Sequence, residues 1–199
     1  SVTPTPTGAP QVTITPIPTN TPIQETDEKY FKYSIIGEKA VITGIFSWGL
    51  TLTEIVVPQK IKGYPVTSID EEAFVDCRNH IRSITIPNGV TTIGASAFKN
   101  CSSLTSISIP SSVTSIGGYA FHNCSSLTEI DIPDSVTTIG ASAFSHCSNL
   151  SSISISNSVT SIGRYAFYNC SSLTEIDISD SVTTIGASAF SNCSNLSSI

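Results

Sequence analysis

The sequence predicts a solenoid, a rod built from short coils of chain stacked on one another, rather than a globular domain. The six cysteines recur at a separation of 24 residues and then of 23 residues, and phenylalanine and leucine keep the same step. A fixed period of this length is typical of one structural unit repeated along a stack. The recurring residues are Cys77, Cys101, Cys124, Cys147, Cys170 and Cys193, with Phe74, Phe98, Phe121, Phe144, Phe167 and Phe190, and Leu104, Leu127, Leu150, Leu173 and Leu196.

The repeated unit reads A-F-x-x-C-x-x-L-x-x-I-x-I-P-x-x-V-x-x-I-G. In one copy, the apolar residues are Leu104, Ile107 and Ile109, and the last two are separated by one polar residue. This alternation with a period of two residues predicts a strand with one buried face. About six or seven apolar side chains in each coil stabilise it by roughly 1.5–3 kcal/mol apiece. That gain falls short of the roughly 1–2 kcal/mol per residue that ordering the coil costs. A lone coil is therefore expected to be unfolded, and only a stack is stable.

The tandem pattern A-F-x-x-C-S-S-L-x-x-I-x-I-P-x-x-V-x-x-I-G resembles the BspA-type (Treponema pallidum-type) leucine-rich repeat of bacterial surface proteins. The resemblance extends from about Tyr30 to Ile199. It implies a leucine-rich-repeat right-handed solenoid, a β-dominated form of the α/β horseshoe class, with a concave parallel sheet. It also implies a place outside the cell, at the cell surface or in the cell wall, and adhesion to host or bacterial partners.

Three segments are predicted along the chain. Residues 1–28 are rich in Thr and Pro, a composition typical of an extended, disordered linker. Residues 29–50 are predicted to cap the rod, and residues 51–199 form the solenoid. Because the sequence stops inside a repeat, we expect an array truncated without a C-terminal cap, whose open end could pair with another copy.

The predicted N-terminal cap is a β-hairpin. Its strands, 30–35 and 40–43, flank the turn residues Gly37 and Glu38. A solenoid needs its terminal apolar face covered, and Phe46 and Trp48 are the aromatic side chains expected to help cover it.

Composition limits the classes of partner. The net charge of −6 and the pI near 4.9 make nucleic acid an improbable ligand. No apolar run approaches the roughly 20 residues that span a bilayer, so no membrane insertion is expected. No signal peptide is visible at Ser1, which favours a mature product or an excised fragment.

The cysteines are predicted to be buried thiols. Six cysteines in an exported protein would also fit a disulfide framework. However, they occupy one position in successive coils, beside Phe and Leu, where a small buried hydrophobe is expected. Side chains that point in parallel from adjacent coils are poorly oriented for the torsion of a disulfide.

No motif for catalysis, cofactor or metal binding stands out. A pair of coils, 46 residues long, is duplicated along the chain. His122 and His146 lie on consecutive coils of the first copy, but Tyr168 and Asn192 stand at the equivalent positions of the second, and no G-x-S-x-G motif frames them. A zinc site would need clustered Cys and His spacing. Calcium at Glu129, Asp131 and Asp134 would lack its usual loop. The chain is therefore predicted to be neither an enzyme nor a metal or cofactor protein.

The candidate binding surface is the outward side of the predicted strands, since the isoleucines between these residues face inward. Acidic coils alternate with hydroxyl coils, which separates like charges by roughly 9–10 Å, close to the Debye length at physiological salt. The alternative is that these polar side chains only keep the sheet soluble. The candidate residues are Ser83, Thr85, Ser106, Ser108, Glu129, Asp131, Ser152, Ser154, Glu175 and Asp177.

Function is predicted at the level of a class. The leading hypothesis is an extracellular, adhesin-like binding module whose concave face contacts a matrix protein or a glycan on a host or bacterial surface. The alternative is a structural spacer that projects another domain and has no ligand of its own. Tyr119 and Tyr165 are expected to pack along the convex side, with aromatic contact to a partner as the alternative.

Overall fold

The computed structural model describes residues 24–46, 51–75, 77 and 80–198. Of the sequence predictions, most of the linker, Trp48 and Ile199 fall outside these residues. The described chain forms a β-solenoid, and the prediction of stacked coils of about 23 residues is confirmed.

The chain enters the solenoid through a 3₁₀ turn at Glu28–Tyr30 and a β-hairpin. Strand β1 (Phe31–Ile36) pairs antiparallel with β2 (Lys39–Ile45), as the sequence predicted. The turn residues Gly37 and Glu38 have φ angles of 53° and 61°. Positive φ at both positions is the geometry of a type I′ turn, whose twist matches that of the strands. Since β2 also pairs parallel with the next strand of the solenoid, the hairpin covers the first edge of the sheet.

The residues just before the hairpin are joined to the first coil. The backbone N–H of Thr26 donates to the carbonyl of Val56 at 2.9 Å, and the N–H of Val56 donates back to Thr26 Oγ1 at 2.9 Å. Glu28 accepts from the backbone of Lys62 at 3.0 Å and forms a salt bridge with its Nζ at 2.7 Å. The last residues of the segment predicted as linker, 1–28, therefore lie against the solenoid.

Two parallel ladders run along the rod. The first contains the predicted strands, and the second, built from the V-x-x-I segment of each repeat, was not predicted. A short strand, β4 (Lys60–Ile61), pairs antiparallel with β5 (Tyr64–Ile69). The first ladder consists of β3 (Glu54–Val56), β6 (Ser83–Thr85), β8 (Ser106–Ser108), β10 (Glu129–Asp131) and β12 (Ser152–Ser154). The second consists of β5 (Tyr64–Ile69), β7 (Thr92–Ile93), β9 (Ser115–Ile116), β11 (Thr138–Ile139), β13 (Ser161–Ile162) and β14 (Thr184–Ile185).

Phenylalanine rings form the axis of the core. From Phe74 to Phe190 they stack coil on coil, with ring centroids 5.1 to 5.4 Å apart and planes within 16° of parallel. The strand registers align the isoleucines beside them, for example Ile130 with Ile153 and Ile139 with Ile162. The core is thus one seam shared by all the coils, which is why each coil depends on its neighbours.

The cysteines line this seam as thiols, as predicted, and none of the six forms a disulfide. Each thiol from the second onward donates to the carbonyl of the phenylalanine in the preceding coil, for example Cys101 to Phe74 at 3.5 Å, Cys124 to Phe98 at 3.2 Å and Cys147 to Phe121 at 3.1 Å. Burial raises the pKa of the Cys147 thiol from 9.0 to about 12. The folded state therefore holds the thiol protonated well above the pH at which the unfolded chain ionises.

Stability is expected to fall between pH 9 and pH 12. In that range the unfolded chain has lost a proton that folded Cys147 keeps, so each such thiol lowers the free energy of unfolding by about 1.4 kcal/mol per pH unit. Below the unfolded pKa this loss vanishes. Urea midpoints measured at pH 7.5 and pH 10.5 test the prediction, and the Cys147→Ala variant should show a shallower decline. An identical decline in that variant would assign the effect to other groups.

Candidate functional site

The candidate residues lie side by side on the first ladder. Its register places Glu129 opposite Ser152 and Asp131 opposite Ser154. A bridge between Glu175 and Ser198 continues the alternation of acidic and hydroxyl coils. The side chains of Ser83 and Thr85 are half-buried, whereas the others are exposed: Ser106, Ser108, Glu129, Asp131, Ser152, Ser154, Glu175 and Asp177. We call this set the acidic ladder.

The acidic ladder is interrupted in its middle. β3, β6 and β8 form one hydrogen-bonded sheet, and β10 and β12 form another. A groove of about 250 Å³ lies where β8 and β10 meet. No pattern in the sequence predicts this break, because the repeat reads almost the same on both sides of it. The residues that line the groove are Ser106, Ile107, Ser108, Ile109, Glu129, Ile130 and Asp131.

The groove combines an acidic wall with an apolar floor. Glu129 and Asp131 are exposed on one side, and Ser106 and Ser108 are exposed on the other. The floor includes Ile107, which is only half-buried, although its counterpart in the preceding coil, Ile84, is 1% exposed. No Lys or Arg is among the lining residues. Such a site can accept hydrogen bonds from a cationic or hydroxyl-bearing group and can bury an aliphatic stem beneath it.

The histidines lie on a different stretch of the coil. The rings of His122 and His146 meet edge to face, with centroids 5.3 Å apart. His146 Nδ1 lies 3.2 Å from Asn169 Nδ2, while the buried Nδ1 of His122 has no hydrogen-bond partner within the described chain. Burial, and then the proximity of His146 and Lys99, lowers the pKa of His122. The structure does not bring either histidine to the acidic ladder.

Within residues 24–46, 51–75, 77 and 80–198, no group of three His, Cys, Asp or Glu side chains is arranged to hold a metal ion. The same described part of the chain contains no helix with the length and hydropathy needed to cross a bilayer.

The repeat architecture decides the family. A family model described as the BspA type leucine rich repeat region matches six copies, over residues 39–132 and 67–197. The chain belongs to the BspA-type leucine-rich repeat family. Proteins built from leucine-rich repeats are typically binding modules rather than enzymes. A search of curated proteins found no match to this BspA-type chain.

Solved structures have the same architecture. The leucine-rich repeat protein of T. pallidum is 28% identical, with a TM-score of 0.74, and the match covers 87% of this chain and 91% of that one. A leucine-rich repeat protein from Bacteroides ovatus is 29% identical, with a TM-score of 0.64 over 85% of this chain. A leucine rich cell surface protein from Faecalibacterium prausnitzii is 30% identical, with a TM-score of 0.63 over 89%. This BspA-type chain spans 51% and 54% of the last two proteins.

Proposed function

We propose that the protein is an adhesin-like binding module of the cell surface, and that its acidic ladder contacts a protein or glycan on a host or bacterial surface. The groove between β8 and β10 carries the proposal. It joins two exposed carboxylates, two exposed hydroxyls and an apolar floor within one opening of about 250 Å³.

The spacing of the charges favours a cationic or hydroxyl-rich partner. Glu129 and Asp131 point to the same side of one strand, roughly 7 Å apart, so one ammonium or guanidinium group between them could contact both. The next acidic pair, Glu175 and Asp177, lies two coils further on, at roughly 9–10 Å. A partner with repeated positive or hydroxyl groups would therefore find several equivalent contacts along the rod.

The proposed location at the cell surface is supported by similarity to a relative. The Faecalibacterium relative is described as a cell surface protein. A rod with exposed polar ladders and a Thr/Pro-rich segment before it suits display at a distance from the cell.

Neutralising the groove should weaken binding. In a panel of immobilised matrix proteins, mucins and glycans, Glu129→Gln with Asp131→Asn is expected to lower affinity for the ligand at least about tenfold, because charge-assisted hydrogen bonds are lost. The wild-type affinity should also fall with added salt. The control is Glu71→Gln with Asp180→Asn, which removes the same charge outside the groove. Equal loss in both variants would indicate a general charge effect and would contradict the assignment to the groove.

A structural spacer is the second candidate. The stacked phenylalanines and the backbone hydrogen bonds between coils are the features that a stiff rod requires. If no member of the panel binds the wild-type protein, the spacer hypothesis is favoured over the binding module.

A further inference from the structure

A third stretch of chain recurs in each coil, and in some coils it carries tyrosine, histidine, lysine or arginine side chains. It comprises residues 95–100, 118–123, 141–146, 164–169 and 187–192, and backbone hydrogen bonds join it from coil to coil. Tyr119 N donates to Ala141 O at 2.8 Å, and Ser142 N donates to Arg164 O at 2.8 Å. The second residue of each segment has a left-handed backbone, with φ of 59° at Tyr119 and 57° at Tyr165.

Large and small side chains alternate from one coil to the next at the second position of these segments. Tyr119 and His122 occupy one coil, serines occupy the next, and two tyrosines occupy the one after. Between them, Ser142 and Ser145 are only 5% and 3% exposed. With Tyr165 and Tyr168 they line an open cavity of about 270 Å³, which we call the tyrosine notch.

A connected series of rings surrounds the notch. Tyr119 meets His122 edge to face at 5.6 Å, and His146 meets Tyr168 at 5.3 Å. Tyr165 and Tyr168 are 5.5 Å apart in the same manner. Tyr119 keeps 46% of its surface exposed. The packing of Tyr119 and Tyr165 along the convex side, with aromatic contact to a partner as the alternative, stays a prediction. The ring contacts join both tyrosines to Tyr168 and the two histidines in one continuous aromatic surface.

Charge separates this surface from the acidic ladder. None of the five segments contains Asp or Glu, and they hold the two basic residues that follow Arg82. Lys99 Nζ lies 5.7 Å from the ring centroid of Tyr119. The guanidinium carbon of Arg164 lies 4.6 Å from the ring centroid of Tyr165, and its Nη2 donates to the Tyr165 hydroxyl at 3.0 Å. Because the five segments carry basic residues and no acidic one, the surface they form suits an anion although the chain has a net charge of −6.

We propose that the tyrosine notch is a binding site for an acidic glycan chain. A tyrosine ring can lie against the apolar face of a pyranose, the serine hydroxyls at the floor can bond to sugar hydroxyls, and Arg164 can pair with a carboxylate. Because serine side chains form the floor, it does not suit the apolar face of a peptide helix. The site and its ligand are independent of the acidic ladder and of the function proposed for it.

The spacing along the rod agrees with a polymeric ligand. Serine segments flank the tyrosine segments on both sides, at Ser96 and at Ser188, so the pattern has a period of two coils. Two coils rise by roughly 9–10 Å, which is similar to the length of a β-linked disaccharide. Successive disaccharides of one chain would therefore meet Tyr119 and then Tyr165, and weak contacts would add along the polymer.

The chain offers its own test variants. Tyr165→Ser with Tyr168→Ser installs the residues found in the neighbouring coils, at Ser142 and Ser145, so the fold should be kept. Arg164→Ala likewise installs the residue present at Ala95, Ala141 and Ala187. Circular dichroism and thermal unfolding of both variants should match the wild-type protein.

Three oligosaccharide probes of equal length distinguish the outcomes: hyaluronan, polysialic acid and the neutral chitin oligosaccharide. We expect at least one acidic probe to bind in calorimetric titration, the double tyrosine variant to lose about tenfold or more in affinity, and Arg164→Ala to weaken the acidic probe alone. Glu129→Gln with Asp131→Asn should leave the binding of the acidic oligosaccharide intact. The proposal for the tyrosine notch and the proposal for the acidic ladder are therefore tested independently. Binding of the chitin probe alone, undiminished binding by the tyrosine variant, or binding of neither acidic probe would overturn the proposal. If polyglutamate binds as tightly as the acidic oligosaccharides and with the same dependence on the tyrosines, the ligand is an acidic peptide and the glycan proposal is wrong.

Discussion

Gly140→Ala is expected to destabilise the protein by about 3 kcal/mol or more, at or beyond the upper end of what overpacking usually costs. A Cβ atom at Gly140 would lie 2.6 Å from the backbone nitrogen of Gly118 and 2.7 Å from the carbonyl carbon of Gly117. These are backbone atoms of the preceding coil, so no side-chain rotation can relieve the contact. Gly163 is in the same position, 2.5 Å from Ala141 N. The glycine is therefore required because two coils approach closely, and the methyl group must push them apart.

The repeat supplies a matched control for this change. Gly118→Ala also adds one methyl group, but its Cβ would lie 3.2 Å from Ala141 O, and three other coils carry alanine at that position. We expect its urea midpoint to stay close to that of the wild-type protein, while the midpoint of Gly140→Ala falls sharply. Equal midpoints for the two variants would show that the coils can separate without loss, and the account of the glycines would be wrong.

The repeat and its cap could be predicted from sequence because their signals are local or periodic. A period of 23 residues can be recognised even where single positions of the repeat vary. The Gly37-Glu38 turn between two apolar runs is a short-range signal for a hairpin. The inward direction of Ile130 and Ile153 follows from the alternation of their neighbours. Each of these features is therefore visible in the sequence, either as a recurring residue type or as a pattern among neighbouring residues.

The second ladder could not be predicted in the same way. Its strands, such as Thr92–Ile93 and Thr138–Ile139, are two residues long. Two residues cannot display an alternation, so nothing local distinguishes them from a turn. They are extended because the coil above and the coil below hold them in register, a constraint that acts between residues one repeat apart.

The ten residues of the acidic ladder could be named from sequence, but neither the groove within it nor the tyrosine notch could be located. The outward positions of the acidic ladder follow from alternation, but the opening between β8 and β10 occurs between two coils of nearly equal sequence. The tyrosine notch likewise depends on Ser142 and Ser145 lying beneath Tyr165 and Tyr168, residues that are 23 positions apart. The duplication of a two-coil unit was visible in the sequence. However, the notch forms only because the coils stack, which places the tyrosine side chains of one coil beside the serine side chains of the next.

Phe121→Ala is expected to cost about 3–5 kcal/mol, the usual range for removing a buried aromatic side chain. The ring is fully buried and stacks on Phe98 and Phe144, each at 5.3 Å and within 8° of parallel. Its loss leaves a cavity that the neighbouring rings cannot fill without giving up their own contacts. In an array where each coil depends on the next, the cavity weakens two interfaces at once. Unfolding in urea, followed by circular dichroism, should therefore begin at lower denaturant and lose its single sharp transition.

Phe190→Ala removes the same side chain where it has one ring neighbour. Phe190 stacks only on Phe167 within the described chain and is half-buried, so both the transfer term and the cavity are smaller. Its urea midpoint should lie between those of the wild-type protein and Phe121→Ala, with the sharp transition retained. If the two variants lose equal stability, the rings act as independent hydrophobic groups and not as a coupled stack. A larger loss at Phe121 instead identifies the interfaces between coils, more than the coils themselves, as the source of stability, because that ring is shared by two of them.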